Sequence, residues 1–373
     1  MKVAFHTMGC KVNQFDTAVM AEVCGQSSYE VVPFDGGADV YVINTCSVTE
    51  NGDREARRIV RRVKRDHPGA RVVVTGCYAQ TQPENVAEIE GVDLVLGNKG
   101  KTRIHEFLEG CGGAERPRIE LGALDSGEAL DQPAIQMMRG RTRVFLKIQD
   151  GCDFKCSFCL IPRARGAGRS LPMDRVVDQI RTLGEVGCQE VVLTGINLGM
   201  YGRDFSPKAR LSDLLNTLLE KTDIPRIRLS SIEPKTLTAG LLDLWASSDR
   251  ICKHFHIPLQ SGDDRILADM NRHYEGSFFR QLIQDISEKV PEACFGTDVM
   301  VGFPGEGERE FLNTASLLEC LPWAYFHVFP YSPRPDTEAL SFREGVHEDE
   351  KRRRGKILRA LSDKKKGGIS KRL

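Results

Sequence analysis

Cys152, Cys156 and Cys159 are spaced Cys-x-x-x-Cys-x-x-Cys and directly follow the apolar stretch Val144–Ile148. One short loop with this spacing can present three thiolates to a single [4Fe–4S] cubane. Three protein ligands on four irons leave one iron open, and an open position on a catalytic metal takes a substrate or second cofactor. The alternative is a zinc knuckle without its fourth ligand, although no His follows at ligand spacing. A second set is formed by Cys10, Cys46 and Cys77, each of which falls just past a predicted strand end. Ligands of open parallel sheets gather outside the carboxyl ends of the strands, so three loops at one edge would bring these thiols together as a second cluster site. Gly9 and Gly76 precede two of them and allow tight turns. The alternative is three small residues in unrelated loops.

Alternating elements must position both sets. Strands are predicted at Lys2–Thr7, Tyr29–Val32, Val40–Asn44, Arg71–Thr75 and Val92–Leu96, with helices at Asp16–Cys24, Asp53–Asp66, Pro83–Ile89 and Thr102–Leu108. This pattern predicts an α/β fold with a parallel sheet covered by helices over residues 1–110. A Gly- and Pro-containing linker is predicted over 111–141. Alternation then restarts, with strands at Val144–Ile148, Glu190–Thr194, Arg226–Ser230, Lys253–Pro258, Phe295–Val301 and Tyr325–Pro330. Helices are predicted at Met173–Val186, Leu211–Lys221, Leu237–Ser247, Phe278–Val290 and Glu308–Cys320. Six βα units are too few for a closed eight-fold barrel, so 142–340 is predicted to form a partial barrel open at one side. Its strand-end loops carry the polar and Gly-rich segments in which catalysis is usually built. Residues 341–373 are predicted to be a basic tail.

The composition of the 373 residues is that of an ordinary globular chain, with 52 Lys and Arg against 52 Asp and Glu. No stretch approaches the roughly 18 apolar residues of a membrane span. The start, Met1–His6, has no long apolar core of a secretory signal, so a cytoplasmic protein without membrane contact is expected. Twelve cysteines in such a chain favour metal ligation over disulfides. Of the others, Cys24 and Cys320 fall in amphipathic helix segments and are expected to act as small apolar residues. Positive charge clusters locally. Arg54–Arg65 carries seven basic residues against Glu55, with Ala56, Ile59, Val60 and Val63 on the opposite helical face. Lys351–Arg354 and Lys364–Lys366 are basic again. These segments are either solvated faces or phosphate-binding ones.

The Cys152–Cys159 motif resembles that of the radical S-adenosylmethionine (SAM) enzymes. The resemblance implies that the open iron chelates SAM and that one electron cleaves it to methionine and a 5′-deoxyadenosyl radical. Both cysteine sets together resemble the methylthiotransferases, which carry two [4Fe–4S] clusters. The residues are Thr7-Met8-Gly9-Cys10-Lys11-Val12-Asn13-Gln14, Ile43–Thr49, Thr75-Gly76-Cys77-Tyr78-Ala79-Gln80, Gly151–Cys159, Ile161-Pro162, Arg165-Gly166 and His256–Asp264. By the same resemblance, Gly195 and Asn197 are expected near the methionine end of SAM. Ser231, Glu233 and Gln260 are expected at its polar groups, and Val301 and Gly302 near its adenine. Arg163 and Ala167 depart from the family pattern.

Within the family, Gly9-Cys10-Lys11-Val12-Asn13 and Leu193–Gly199 are most similar to the branch acting on threonylcarbamoyladenosine at position 37 of tRNA. The implied reaction methylthiolates C2 of that adenine, consumes two SAM, and needs an electron donor such as flavodoxin or ferredoxin and a sulfur donor. Other branches act on isopentenyladenosine or on a ribosomal protein aspartate, and both remain alternatives. Family members usually continue into a small β module that binds RNA, called TRAM. No alternating strands follow Arg359, so that module is expected to be absent. Binding of the tRNA anticodon stem-loop would then rest on Arg54–Arg65 and the basic tail. A cluster-binding protein with weak RNA affinity is a further alternative.

Overall fold

In the computed structural model, residues 1–111, 116–124, 129–135, 142–342 and 345–369 are described, with side chains described to 366. Parts of the predicted linker and tail therefore lie outside the described residues. The chain forms two compact units, Met1–Asp153 with Leu160–Ile196, and Phe154–Cys159 with Asn197–Leu373.

The first unit runs β1 (Lys2–Thr7), α1 (Lys11–Gln26), β2 (Glu30–Val32), β3 (Val40–Thr45), α2 (Glu50–Asp66), β4 (Arg71–Gly76), α3 (Cys77–Thr81), α4 (Pro83–Ala87), β5 (Leu94–Leu96), α5 (Ile104–Leu108) and β6 (Arg118–Glu120). After these come β7 (Val144–Lys147), β8 (Gln149–Asp150), α6 (Ile161–Arg165), β9 (Arg169–Ser170), α7 (Met173–Glu185) and β10 (Glu190–Thr194). Strands β2-β1-β3-β4-β5-β6 form one all-parallel sheet in that order. Every residue of β3 is buried, as expected of a central β-branched strand covered on both faces. Tyr41, Ile43, Val72 and Val74 pack with Ala56, Ile59, Val60 and Val63 of α2, while Val40, Val42, Val73 and Leu94 pack with Met20 and Cys24 of α1 and Ile104 and Leu108 of α5. Each fully buried Val, Leu or Ile contributes about 1.5–3 kcal/mol. Strand β7 pairs parallel with β10.

Helix α1 begins immediately after Cys10 and so is longer than its apolar periodicity predicts. Lys11, Asn13 and Gln14 mask the pattern, but Asn13 is buried for a reason given below. Strand β6 lies in the segment expected to be irregular. It has two charged residues and two exposed positions, and survives by pairing with β5 at the sheet edge.

The second unit contains α8 (Leu211–Lys221), β11 (Arg226–Leu229), α9 (Ala239–Ser247), β12 (His254–His256), α10 (Asp264–Asp269), α11 (Gly276–Lys289), β13 (Cys294–Val301), α12 (Glu308–Cys320), β14 (Trp323–Pro330) and α13 (Glu348–Ile369). Strands β12, β13 and β14 pair parallel. The predicted basic tail is largely α13, docked on β14 through Ser362, whose Oγ donates to Phe326 O (3.1 Å) and accepts from Phe326 N (3.0 Å). Lys351 and Arg354 are buried, so half of the Lys351–Arg354 run is not a solvated basic face. Lys351 donates to Tyr331 O (3.1 Å), and Arg354 pairs with Glu306 (2.7 Å). Cys320 also differs from expectation. It is exposed, and its sulfur accepts from Arg280 Nη1 at 2.9 Å.

Candidate functional site

Strands β1, β3 and β4 are adjacent and parallel, so their carboxyl ends open on one sheet edge. Cys10 follows β1, Cys46 follows β3, and Cys77 opens α3 directly after β4. The strand order 2-1-3-4-5 places the topological switch point between β1 and β3, where open α/β sheets bind ligands. Cys10 is exposed, Cys46 half-buried and Cys77 buried. The turns that bring them there require glycine. Gly9 has φ +89°, and a Cβ on it would lie 2.9 Å from Cys46 Sγ. Gly76 has φ +99°, and a Cβ would lie 2.3 Å from Thr45 O. Burial, and then the charges of Cys77 and Cys10, push the Cys46 thiol up to about 12. A buried thiol whose ionisation its neighbours oppose is stabilised as a thiolate by a shared cation. Among the described residues, the three are not gathered within 4.8 Å of one another, the span of a single-ion site. Their soft thiolate donors suit an iron–sulfur cluster or zinc.

Asn13 ties the edge together. Its Nδ2 donates to Met8 O and Thr45 O, both at 2.9 Å, joining the loops that carry Cys10 and Cys46. Its Oδ1 accepts from Arg165 Nη2 at 2.7 Å. Arg165 is 1 % exposed and belongs to a buried ion network. It pairs with Asp16 (3.1 Å) and Asp150 (2.9 Å), Lys147 with Asp16 (2.6 Å) and Asp150 (3.1 Å), and Lys101 with Asp16 (3.0 Å). Burial raises the Asp16 carboxyl, but Lys101, Lys147 and Arg165 outweigh it and hold Asp16 well below its usual range. For Asp150, burial is likewise outweighed by Arg165 and Lys147, which lower it to about 2. Burial alone would lower Arg165, yet Asp150 and Asp16, then Cys77 and Cys10, raise it. Three cations against two anions leave one net positive charge within electrostatic reach of the cysteine edge. The Arg165 Nε–H, moreover, has no hydrogen-bond partner. A buried donor and a surplus cation there favour an anionic guest such as a thiolate-ligated cluster.

In the same unit, Cys152 follows β8, and its N–H donates to Gly166 O at 3.1 Å. Gly195 follows β10, and a Cβ on it would lie 2.9 Å from Gln149 Oε1.

The second unit holds Cys156 and Cys159 in a loop pinned through its other residues. Ser157 N donates to Met270 O (3.2 Å), Ser157 Oγ to Asp269 O (2.7 Å), Asn271 Nδ2 to Lys155 O (2.6 Å) and Ala339 N to Ser157 O (2.8 Å). Phe158 packs edge-on against Phe303. Arg272 Nη1 reaches Cys156 Sγ at 3.6 Å, while its Nη2 donates to Glu233 Oε2 at 2.8 Å. Glu233 thus has a buried cationic partner. Burial raises its carboxyl and Arg272 opposes the rise. Ser231 Oγ bonds His256 Nδ1 at 2.8 Å. Gln260 is held at φ +67° by its backbone, with N–H to Asp298 O (2.9 Å) and O from Met300 N–H (2.8 Å). Asn197 is buried near the start of this unit, and Val301 is buried at the end of β13. Gly302 N donates to Glu306 Oε1 at 2.7 Å.

The structure adds Asp16, Lys101, Lys147, Asp150 and Arg272 to the residues singled out from sequence. Two of them carried a signal. Lys147 interrupts the apolar run Val144–Ile148, and Asp16 falls on the same helical face as Val12, Val19 and Val23. A charge in an apolar phase marks a buried partner.

Residues 2–97 match a family described as "uncharacterized protein family UPF0004", and residues 146–318 match the radical SAM superfamily. The threonylcarbamoyladenosine tRNA methylthiotransferase MtaB of Aquifex aeolicus is 42% identical over 367 residues, covering 98% of this chain and 89% of that protein. MtaB of Bacillus subtilis is 39% identical over 363 residues, covering 97% and 80%. The tRNA-2-methylthio-N(6)-dimethylallyladenosine synthase of Helicobacter pylori is 33% identical over 351 residues, covering 93% and 79%. Among solved structures, the radical SAM methyltransferase TsrM of Kitasatospora setae, with cobalamin and a [4Fe–4S] cluster bound, superimposes with a TM-score of 0.66 at 16% identity over 91% of this chain and 76% of that one. That likeness establishes the fold, a doubly wound parallel sheet followed by a partial (βα)6 radical SAM barrel. The sheet with its three edge cysteines, the Cys152–Cys159 motif and these near-full-length identities agree, and the chain belongs to the radical SAM methylthiotransferase family.

Proposed function

We propose that this protein methylthiolates C2 of N6-threonylcarbamoyladenosine at position 37 of tRNA, with one [4Fe–4S] cluster on Cys10, Cys46 and Cys77 and a second on Cys152, Cys156 and Cys159. The observation that carries the reading is the cysteine edge at the β1/β3 switch point, backed by a buried network with surplus positive charge. The choice of base is supported by the higher identity to threonylcarbamoyladenosine enzymes, 42% and 39% against 33% for the dimethylallyladenosine enzyme. When bound, the two clusters supply the electron that cleaves SAM and an iron that holds the transferable sulfur.

The chain's own residues hold and tune. Asn13 fixes the spacing of the Cys10 and Cys46 loops, and Arg165 offers charge and a free N–H beside them. Arg272 steadies Cys156 and Glu233 together. Gly195, Asn197, Ser231, Glu233, Gln260, Val301 and Gly302 are the groups assigned to SAM. Helix α2 is the segment assigned to tRNA phosphates. Arg54 and Arg58 pair with Glu50 and Glu55 in exposed, solvent-screened contacts, which phosphate can displace. Flavodoxin or ferredoxin and a sulfur source are the outside partners this stoichiometry calls for.

Mass spectrometry of tRNA nucleosides from a deletion strain tests the substrate. The 2-methylthio form of threonylcarbamoyladenosine is expected to disappear and to return on complementation; an unchanged level overturns the assignment. A separate measurement addresses the clusters. Changing Cys10, Cys46 and Cys77 together to Ala is expected to lower iron by about half, with SAM cleavage largely retained. Full iron retention in that variant would remove the two-cluster reading.

A further inference from the structure

Strands β12, β13 and β14 bring together three side chains, His256, Asp298 and His327, to which the methylthiolation reading assigns no role. In parallel register, Asp298 lies beside His327 and His256 beside Gly296. Asp298 Oδ1 is 3.0 Å from His327 Nδ1 and 3.3 Å from His256 Nε2, so both imidazoles converge on one carboxylate oxygen. These three ligand atoms all lie within 4.8 Å of one another.

The His256 ring supplies a second, independent observation. It is 8% exposed, and its Nδ1 is occupied by Ser231 Oγ at 2.8 Å. Its Nε2 is buried and makes no aligned hydrogen bond, although it faces Asp298. In the tautomer with the proton on Nδ1, the Nε2 lone pair faces an anionic oxygen, and a cation between them relieves that repulsion. The spacing suits one. Donors at about 2.1 Å from a divalent ion stand about 3.0–3.4 Å apart along octahedral or tetrahedral edges. The hydroxyl on Nδ1 is the outer contact that orients metal-bound histidines. Tyr325 stacks on His256, with centroids 6.1 Å apart, and lies tilted against His327 at 5.2 Å.

We infer that His256, Asp298 and His327 form a binding site for a divalent first-row transition cation, with zinc the best match. Two imidazoles and one carboxylate are a borderline donor set that suits such ions over magnesium or calcium. Three protein ligands leave a coordination position open for an oxygen or nitrogen donor.

The test uses full-length protein with its iron–sulfur content restored, so that cysteines are occupied. The sample is equilibrated anaerobically with zinc sulfate and dialysed, and zinc and iron are measured by plasma mass spectrometry. One zinc per chain beyond the iron is expected in the parent. Asp298→Asn and His327→Gln are expected to retain at least about ten-fold less, with iron unchanged. His327 has a side chain 56% exposed, so its substitution leaves packing intact. Zinc-edge anomalous scattering should give a peak between the three residues. No zinc on the parent, or equal zinc on parent and both variants, overturns the site. The first outcome leaves a shared proton as the link between these side chains; the second places the metal on other residues. Neither outcome bears on the methylthiolation assignment, which rests on iron and nucleoside measurements.

Discussion

Changing Cys152, Cys156 and Cys159 to Ala is expected to abolish formation of 5′-deoxyadenosine from SAM under dithionite, to the background of protein-free controls. A [4Fe–4S] cluster is held by thiolates, and three alanines leave no ligand in the loop. The loop itself should persist. Ser157, Lys155 and Phe158 are anchored through Asp269, Met270, Asn271, Ala339 and Phe303, and none of these contacts uses a cysteine sulfur. Cys152 keeps its place through a backbone bond to Gly166 O. The variant should therefore show wild-type circular dichroism and retain the iron assigned to Cys10, Cys46 and Cys77. SAM cleavage at the parent rate would end the assignment of this motif. The contrast with the other triple variant is informative, since one should lose cleavage and keep half of the iron while the other loses iron and keeps cleavage.

Asp16→Asn should destabilise the first unit severely. Asp16 is the anion shared by Lys101, Lys147 and Arg165, and its side chain is 4% exposed. Neutralising it leaves three buried cations facing Asp150 alone. Breaking a buried ion pair from one side costs about 3–5 kcal/mol because the partner charge stays desolvated. Chemical denaturation followed by circular dichroism should show a loss of that order, and an effect under about 1 kcal/mol would mean that the network is hydrated. The pH dependence has a definite sign. The folded pKa of Asp16 lies well below its ordinary value of 3.8, so its stabilisation is complete above about pH 4 and is lost as pH falls through the folded value. The parent should lose stability steeply below about pH 4, and the Asn variant less steeply over the same range.

Much of the chain is legible from its sequence because the relevant signals are local. Val40–Thr45 and Arg71–Gly76 are short β-branched runs, and Ala56, Ile59, Val60 and Val63 repeat at helical spacing. The three cysteines of one motif lie within eight residues, and the other three each follow a strand. Where the reading fell short, a local pattern was weak or was overruled by a distant partner. Helix α13 looks like a basic tail until Lys351 meets Tyr331 and Arg354 meets Glu306. Strand β6 has little pattern of its own and exists because β5 offers an edge.

Residue types and their spacing were sufficient to determine the parallel α/β class, the two sets of three thiols and the chemistry those thiols can support. Only the tertiary structure decided which charges meet. Asp16 and Arg165 are 149 residues apart, and His256, Asp298 and His327 come from three separate strands. Such encounters depend on strand order and register, which act across the sheet and leave no periodic trace along the chain.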